Sequence, residues 1–148
     1  MMELGTARRE DLPQLVALLG MLFSQESEFA PDDGRQTRAL EKILADPSAG
    51  TVYVARDQDR IVAMASLVYT VSTAEGGTAA LFEDLFVLPA NRGRGVATAL
   101  VKFVIEEARK QGVLRLTLLT DAHNERAQSL YRKLGFTDSA MKPMRLKL

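Results

Sequence analysis

Leu85-Phe86-Val87-Leu88-Pro89-Ala90-Asn91-Arg92-Gly93-Arg94-Gly95-Val96-Ala97-Thr98-Ala99-Leu100 predicts a strand, a turn rich in glycine and arginine, and the opening of a helix. The apolar strand stops at Pro89, which has no N–H for a ladder. The helix is announced by Val96, Leu100, Phe103 and Val104, the spacing of one buried face. Arg92-Gly93-Arg94-Gly95 lies between them. Its glycines allow close backbone approach and positive φ. The first helical turn adds N–H groups without intrahelical partners and the positive end of the helix dipole. The two arginines stay charged at any working pH. A phosphate or pyrophosphate is the natural guest.

Two phosphate-binding patterns fail on detail. A P-loop needs Gly-x-x-x-x-Gly-Lys-Ser/Thr, and both the lysine and the spacing are missing. The dinucleotide fingerprint Gly-x-Gly-x-x-Gly/Ala fits Gly93 and Gly95 but meets Thr98 at its third position. Asp121 could serve such a fold as a ribose-binding acid, but too little chain follows for the further βα units required.

Arg92-x-x-Gly95-x-Ala97 fits without strain the acetyl-CoA pyrophosphate motif of the GNAT superfamily of N-acetyltransferases, Gln/Arg-x-x-Gly-x-Gly/Ala, and the chain resembles that family on both sides of it. Upstream, Phe82-Glu83-Asp84-Leu85-Phe86-Val87 is similar to the strand before the motif in diamine and related small-amine acetyltransferases. Downstream, Asn124-x-x-Ala127-x-x-Leu130-Tyr131-x-x-Leu134-Gly135-Phe136 resembles the superfamily's second signature. The resemblance implies that Leu85 to Val87, Arg92 to Thr98 (Arg92, Gly93, Arg94, Gly95, Val96, Ala97, Thr98), Asn124, Ala127 and Tyr131 hold acetyl-CoA as co-substrate. It implies a pantetheine arm lying between two splayed strands, here 79–88 and 113–120. It also implies that main-chain N–H groups of Phe86 to Leu88 polarise the acetyl carbonyl.

Composition narrows the chemistry. The 148 residues are long enough for one domain with a sizeable core, expected to span 1–148. Nineteen basic and nineteen acidic side chains cancel, so no overall field points to nucleic acid or an anionic membrane. Met1 to Glu10 carries charges where a signal peptide would be apolar, and no apolar run approaches a membrane span; a cytoplasmic location is expected. Without cysteine there is no disulfide, no thiolate zinc site and no thiol to carry an acyl group. A single histidine argues against a metal centre, so no metal is expected. Direct transfer from thioester to acceptor is the simplest acyl chemistry left. Ser66 and Ser129 lack a base at recognisable spacing.

In chain order the pattern predicts a strand over 2–8 and a helix carrying Leu12, Leu15, Val16, Leu19, Leu22 and Phe23 on one face. A second helix is expected over 35–46, then strands over 50–57, 60–71 and 79–88 joined by turns of hairpin length. A helix over 94–111 ends at Gly112, and a strand over 113–120 precedes a helix over 124–134. Strands near 136–139 and 143–148 close the chain, the latter a candidate edge for a homodimer. The expected fold class is α/β (α+β): a mixed, mostly antiparallel sheet with four flanking helices, which the resemblance implies is splayed at its central parallel strands.

Amine acetylation makes two physical demands. An alkylamine of pKa near 10.4 is only about 1 part in 2,500 neutral at pH 7. The oxyanion must also be stabilised and the leaving thiolate protonated. By resemblance Tyr131 is the acid facing the sulfur, although its spacing alone equally fits a core aromatic. Asn124 suits the N-cap of its helix as well as the cofactor. Glu83 and Asp84 are neighbours in an apolar strand and by parity point to opposite faces. A carboxylate placed there is costly unless used or hydrogen-bonded. The resemblance points to Glu83 as base, directly or through water, and to Asp84 as binding or orienting the substrate. Glu26 and Glu28 sit in an acidic stretch, 26–33, that either is simply solvated or draws in a cationic amine. His123, the one imidazole, reads as a loop residue.

The resemblance implies an N-acetyltransferase acting on a primary amine, expected to be that of a small molecule and next of a peptide or protein. An acyl-CoA-binding sensor or partner module and a nicotinamide enzyme are the rival readings.

Overall fold

A computed structural model of the chain describes residues 2–26 and 28–148. Five strands form one sheet in the order β1-β2-β3-β4-β5: β1 Met2–Thr6, β2 Gly50–Asp57, β3 Arg60–Ser72, β4 Gly77–Val87 and β5 Leu116–Leu118. The first four pair antiparallel, and β5 runs parallel to β4. Four α-helices accompany them: α1 Leu12–Gln25, α2 Asp33–Ala45, α3 Val96–Lys110 and α4 Glu125–Lys133.

The sheet's centre is apolar on both faces. Ile61 to Leu67 of β3 are buried without a break, the pattern of a strand covered on two sides rather than one. Leu15, Leu18 and Leu19 of α1 and Leu100, Val101 and Val104 of α3 supply much of that cover. Both α1 and α3 thus bury residues at the three-and-four spacing of one helix face. The α2 helix begins two residues earlier than its periodicity suggests, because Asp32 caps it by accepting a 3.0 Å hydrogen bond from the Arg35 N–H. Beneath α1, Arg56 grips Asp11 with both Nη atoms, at 2.8 and 2.9 Å, and the Arg8 N–H donates to the same carboxylate at 2.7 Å. The Arg56 guanidinium holds the Asp11 carboxyl below its ordinary range.

Two expectations fail. The strand expected over 113–120 shrinks to Leu116–Leu118, flanked by bonds from the Leu114 N–H to the Thr78 carbonyl and from the Ala80 N–H to the Arg115 carbonyl. It ends early because β4 turns away: pairing stops at Phe82 with Leu118. The terminal strands are absent, and residues beyond Phe136 have no regular secondary structure. Met144, Leu146 and Leu148 alternate as a strand requires, yet all are more than 80% exposed. Alternation supplies a face, and a strand also needs a ladder partner. No helix among the described residues is long and apolar enough to cross a membrane.

Candidate active site

The parting of β4 from β5 opens a cavity of about 540 Å³. Its walls are Phe82 to Leu85 of β4, Leu118 to Asp121 at the end of β5, the last turn of α1 with Glu26, His123 and Asn124 just before α4, and Ala127 and Tyr131 of α4. Glu26, Glu83, Asp84, Asn124, Ala127 and Tyr131, singled out in the sequence, thus meet in one place.

A β-bulge aims β4 at this cavity. Ser66 pairs with Glu83 and Met64 with Phe86, so Asp84 and Leu85 together face the single residue Ala65. Asp84 takes φ +58°, a conformation in which Asp is several-fold enriched over most side chains. The extra residue breaks the parity that would separate Glu83 from Asp84. Both line the cavity, Glu83 exposed and Asp84 half-buried. The buried Ser66 hydroxyl donates to the Glu83 carbonyl at 3.2 Å and braces the bulge.

Burial and like charge act together on the acids. Asp84 is pushed up to about 6, first by desolvation and then by Glu83 and Glu26. Desolvation also raises Glu26, with Asp121 and Glu28 adding to it. Tyr131 is raised to about 12 by burial and by Glu26, which keeps its hydroxyl protonated at any working pH. Its ring stands edge-on to Phe82 (6.1 Å between centroids) and to Phe136 (5.7 Å). Tyr131 is therefore a packed aromatic and a cavity wall at once.

Past the bulge, β4 leads to the glycine turn. Pro89–Asn91 forms a short 3-10 turn, and Gly93 and Gly95 take φ of +77° and +78°. A Cβ added to either would meet no protein atom within 4 Å, so the space beside the loop is open. The Ala99 N–H to Gly95 carbonyl bond begins the α3 ladder. The N–H groups of Val96, Ala97 and Thr98 precede it and have no intrahelical acceptor. Val96 buries its side chain and offers only its N–H. Arg92 is anchored, its Nε donating to the Val87 carbonyl at 2.9 Å and its guanidinium lying 5.1 Å from the Phe86 ring centroid. Asn124 caps α4 by accepting from the Ala127 N–H at 3.1 Å.

The model of the Acetyltransferase (GNAT) family matches residues 15–136, which include β4, the glycine turn and α4. The chain belongs to the GNAT family of acetyltransferases. It is 27% identical over 124 residues to YhfO of Bacillus subtilis, an uncharacterized N-acetyltransferase, covering 82% of this chain and 83% of that one. It is 32% identical over 81 residues to the thialysine N-epsilon-acetyltransferase of Mus musculus, covering 55% of this chain and 48%, about half, of that longer protein. A predicted acetyltransferase of Clostridium acetobutylicum, whose crystal structure was determined with acetyl-CoA, shares the fold with a TM-score of 0.80 at 21% identity, over 99% of this chain and 96% of that one.

In this GNAT acetyltransferase the main-chain donors differ from the expectation. The Leu88 N–H is spent on the Val62 carbonyl at 2.8 Å. Antiparallel pairs alternate, so Phe86 shares that orientation toward β3 and Val87 presents its N–H to the opposite, open edge. One of the three expected groups is available there. Glu28 is also out of place: it does not line the cavity but is exposed and paired with Arg145. Asp121 lines the cavity without having been expected there. Its signal was its position at the C-terminal end of a parallel strand, where α/β sheets bind their ligands.

Proposed function

We propose that this N-acetyltransferase moves the acetyl group of acetyl-CoA directly to a primary amine of a small molecule. The observation that carries the reading is the charge of the cavity. Glu26, Glu83, Asp84 and Asp121 line it with no lysine or arginine among the lining residues, a setting that favours a cationic guest. The acetyl-CoA in the Clostridium acetobutylicum structure and the thialysine activity named for the Mus musculus relative agree with it.

In this reading the CoA pyrophosphate sits against the N–H groups of Gly93 to Thr98, beside Arg92 and Arg94, and the pantetheine arm runs along the open edge of β4. The ammonium is drawn in by Glu26 and met by Glu83. Asp84, whose pKa of about 6 lies close to the working pH, accepts its proton. This divides the work differently from the resemblance, which favours Glu83 as base. The freed nitrogen attacks the thioester carbonyl, whose oxygen accepts a hydrogen bond from the Val87 N–H. The C–S bond breaks, and the second nitrogen proton ends on the thiolate. Tyr131 donates a hydrogen bond to the departing sulfur. Its pKa of about 12, against about 8.5 for a thiol, makes it a better hydrogen-bond donor than a full proton donor.

Exposed Met144, Leu146 and Leu148 support pairing of two copies through the C-terminal segment. The acceptor is tested by CoA release over polyamines, amino acids, aminoglycosides and peptides. Turnover confined to small amines is expected. Turnover confined to peptides, or none, overturns the proposal.

A further inference from the structure

One side chain of the C-terminal segment reaches the stretch that follows α1. Arg145 forms an ion pair with Glu28, and its guanidinium lies over the Phe29 ring, 5.5 Å from the centroid. Phe29 meets Phe23 of α1 edge to face, with centroids 5.8 Å apart. Phe23 packs against the core, so a line of contacts runs from the tail through Phe29 into α1. The end of that helix, with Leu22, Gln25 and Glu26, is one wall of the cavity. Met144 and Leu146 on either side of Arg145 are 92% and 84% exposed, so they do not hold the tail in place.

We propose that Arg145 is a positioning residue: it clasps the chain just beyond α1 so that Glu26 faces the bound amine, and the C-terminal segment thereby sets the affinity for a cationic acceptor. The chemistry of the side chain suits the task. A planar guanidinium pairs with a carboxylate at its edge and stacks on an aromatic ring with its face, which a lysine ammonium cannot do together. Pairing Glu28 also removes one acidic charge that would compete with Glu26 for the same ammonium. The contacts are exposed, at 53% for the Arg145 side chain and 62% for that of Glu28, so the clasp adds little to global stability. Its effect is local, where the cavity wall ends.

The inference rests on the acceptor reading above, and the test separates the two. Hydrogen exchange of peptides spanning residues 22–32 is compared in the wild type, Arg145→Ala, Arg145→Glu and the double reversal Glu28→Arg/Arg145→Glu. Arg145→Ala should exchange about twofold to tenfold faster there, as expected on losing an exposed pair and a stacked cation. Arg145→Glu should exchange faster still, and the double reversal should recover part of the loss. KM for an amine that the wild type acetylates should rise in the same order, with KM for acetyl-CoA unchanged. Unaltered exchange in Arg145→Ala overturns the clasp, whatever the enzyme acetylates. A double reversal no slower than Arg145→Glu overturns the ion pair as its agent. Faster exchange with a constant acceptor KM overturns the link to affinity. A wild type that acetylates no amine overturns the acceptor reading and with it the role in affinity, while the exchange data still decide the clasp.

Discussion

Tyr131 stands edge-on to Phe82 at the point where β4 and β5 part: Phe82 and Leu118 form the last pair of that ladder, and the cavity begins beyond them. The same ring contact that packs α4 against the sheet thus places a phenol at the mouth of the gap.

Tyr131→Phe keeps the ring and its contacts with Phe82 and Phe136, so the melting temperature should be unchanged. Loss of the hydroxyl should lower kcat by roughly 10²-fold, the low end for one preorganised hydrogen-bond donor to developing charge, because a thiolate is already a tolerable leaving group. KM for acetyl-CoA should stay nearly constant, since the hydrogen bond matters in the transition state. Steady-state kinetics with the best acceptor check this. A normal kcat would leave Tyr131 as packing alone.

Asp84 links catalysis to stability through pH. Its folded-state pKa of about 6 lies above the ordinary 3.8, so between those values the folded protein binds more protons than the unfolded chain. Stability therefore falls as pH rises through that window. Asp84→Asn removes the effect and tolerates the positive φ. Denaturant titration should show the variant more stable than wild type by about 1–3 kcal/mol at pH 8 and equal to it at pH 3. Turnover should fall most at neutral pH and recover as the free amine becomes abundant at high pH. Glu83→Gln should instead raise the acceptor KM. If Glu83→Gln changes the pH–rate profile and Asp84→Asn does not, Glu83 is the base.

How much of this was legible depends on whether a feature is local. The helix faces were, because three-and-four spacing of residues such as Leu15, Leu19, Leu100 and Val104 sets burial by itself. Gly95 was legible too, since only a few residue types suit its φ of +78° ahead of a helix. The bulge was not: Glu83 and Asp84 read as opposite-facing until one extra residue opposite Ala65 broke the alternation. Strand endings at 113–120 and 143–148 were equally hidden, because ladder partners lie far away in the chain. Arg145 carries no local signal. Its partner Glu28 lies more than one hundred residues earlier, and neither belongs to a motif.

The Arg56–Asp11 pair should govern acid stability. The Asp11 pKa is lowered by Arg56, so the pair's contribution is complete above about pH 4, the ordinary carboxylate range. It is lost as pH falls through the lower folded-state value. Both side chains are nearly buried, at 11% and 5% exposure, so Asp11→Ala should cost about 3–5 kcal/mol by stranding the guanidinium. Thermal melts at pH 7 and pH 3 test it. The difference between variant and wild type should shrink at the lower pH.

Gly95→Val should abolish acetyl-CoA binding in calorimetry. Its Cβ meets no protein atom, so the fold bears only the strain of a β-branched residue at φ +78°. The added methyl groups enter the space assigned to pyrophosphate. Arg92→Ala should weaken binding more modestly, because the N–H donors of the loop remain.

Amide chemical-shift mapping of the labelled protein during titration with acetyl-CoA tests the central claim most directly. The largest shifts should fall on Gly93 to Thr98 and on Leu85 to Val87, with smaller ones at Asn124 and Ala127. Shifts that cluster elsewhere, or a glycine turn that stays still at saturating acetyl-CoA, would contradict the account.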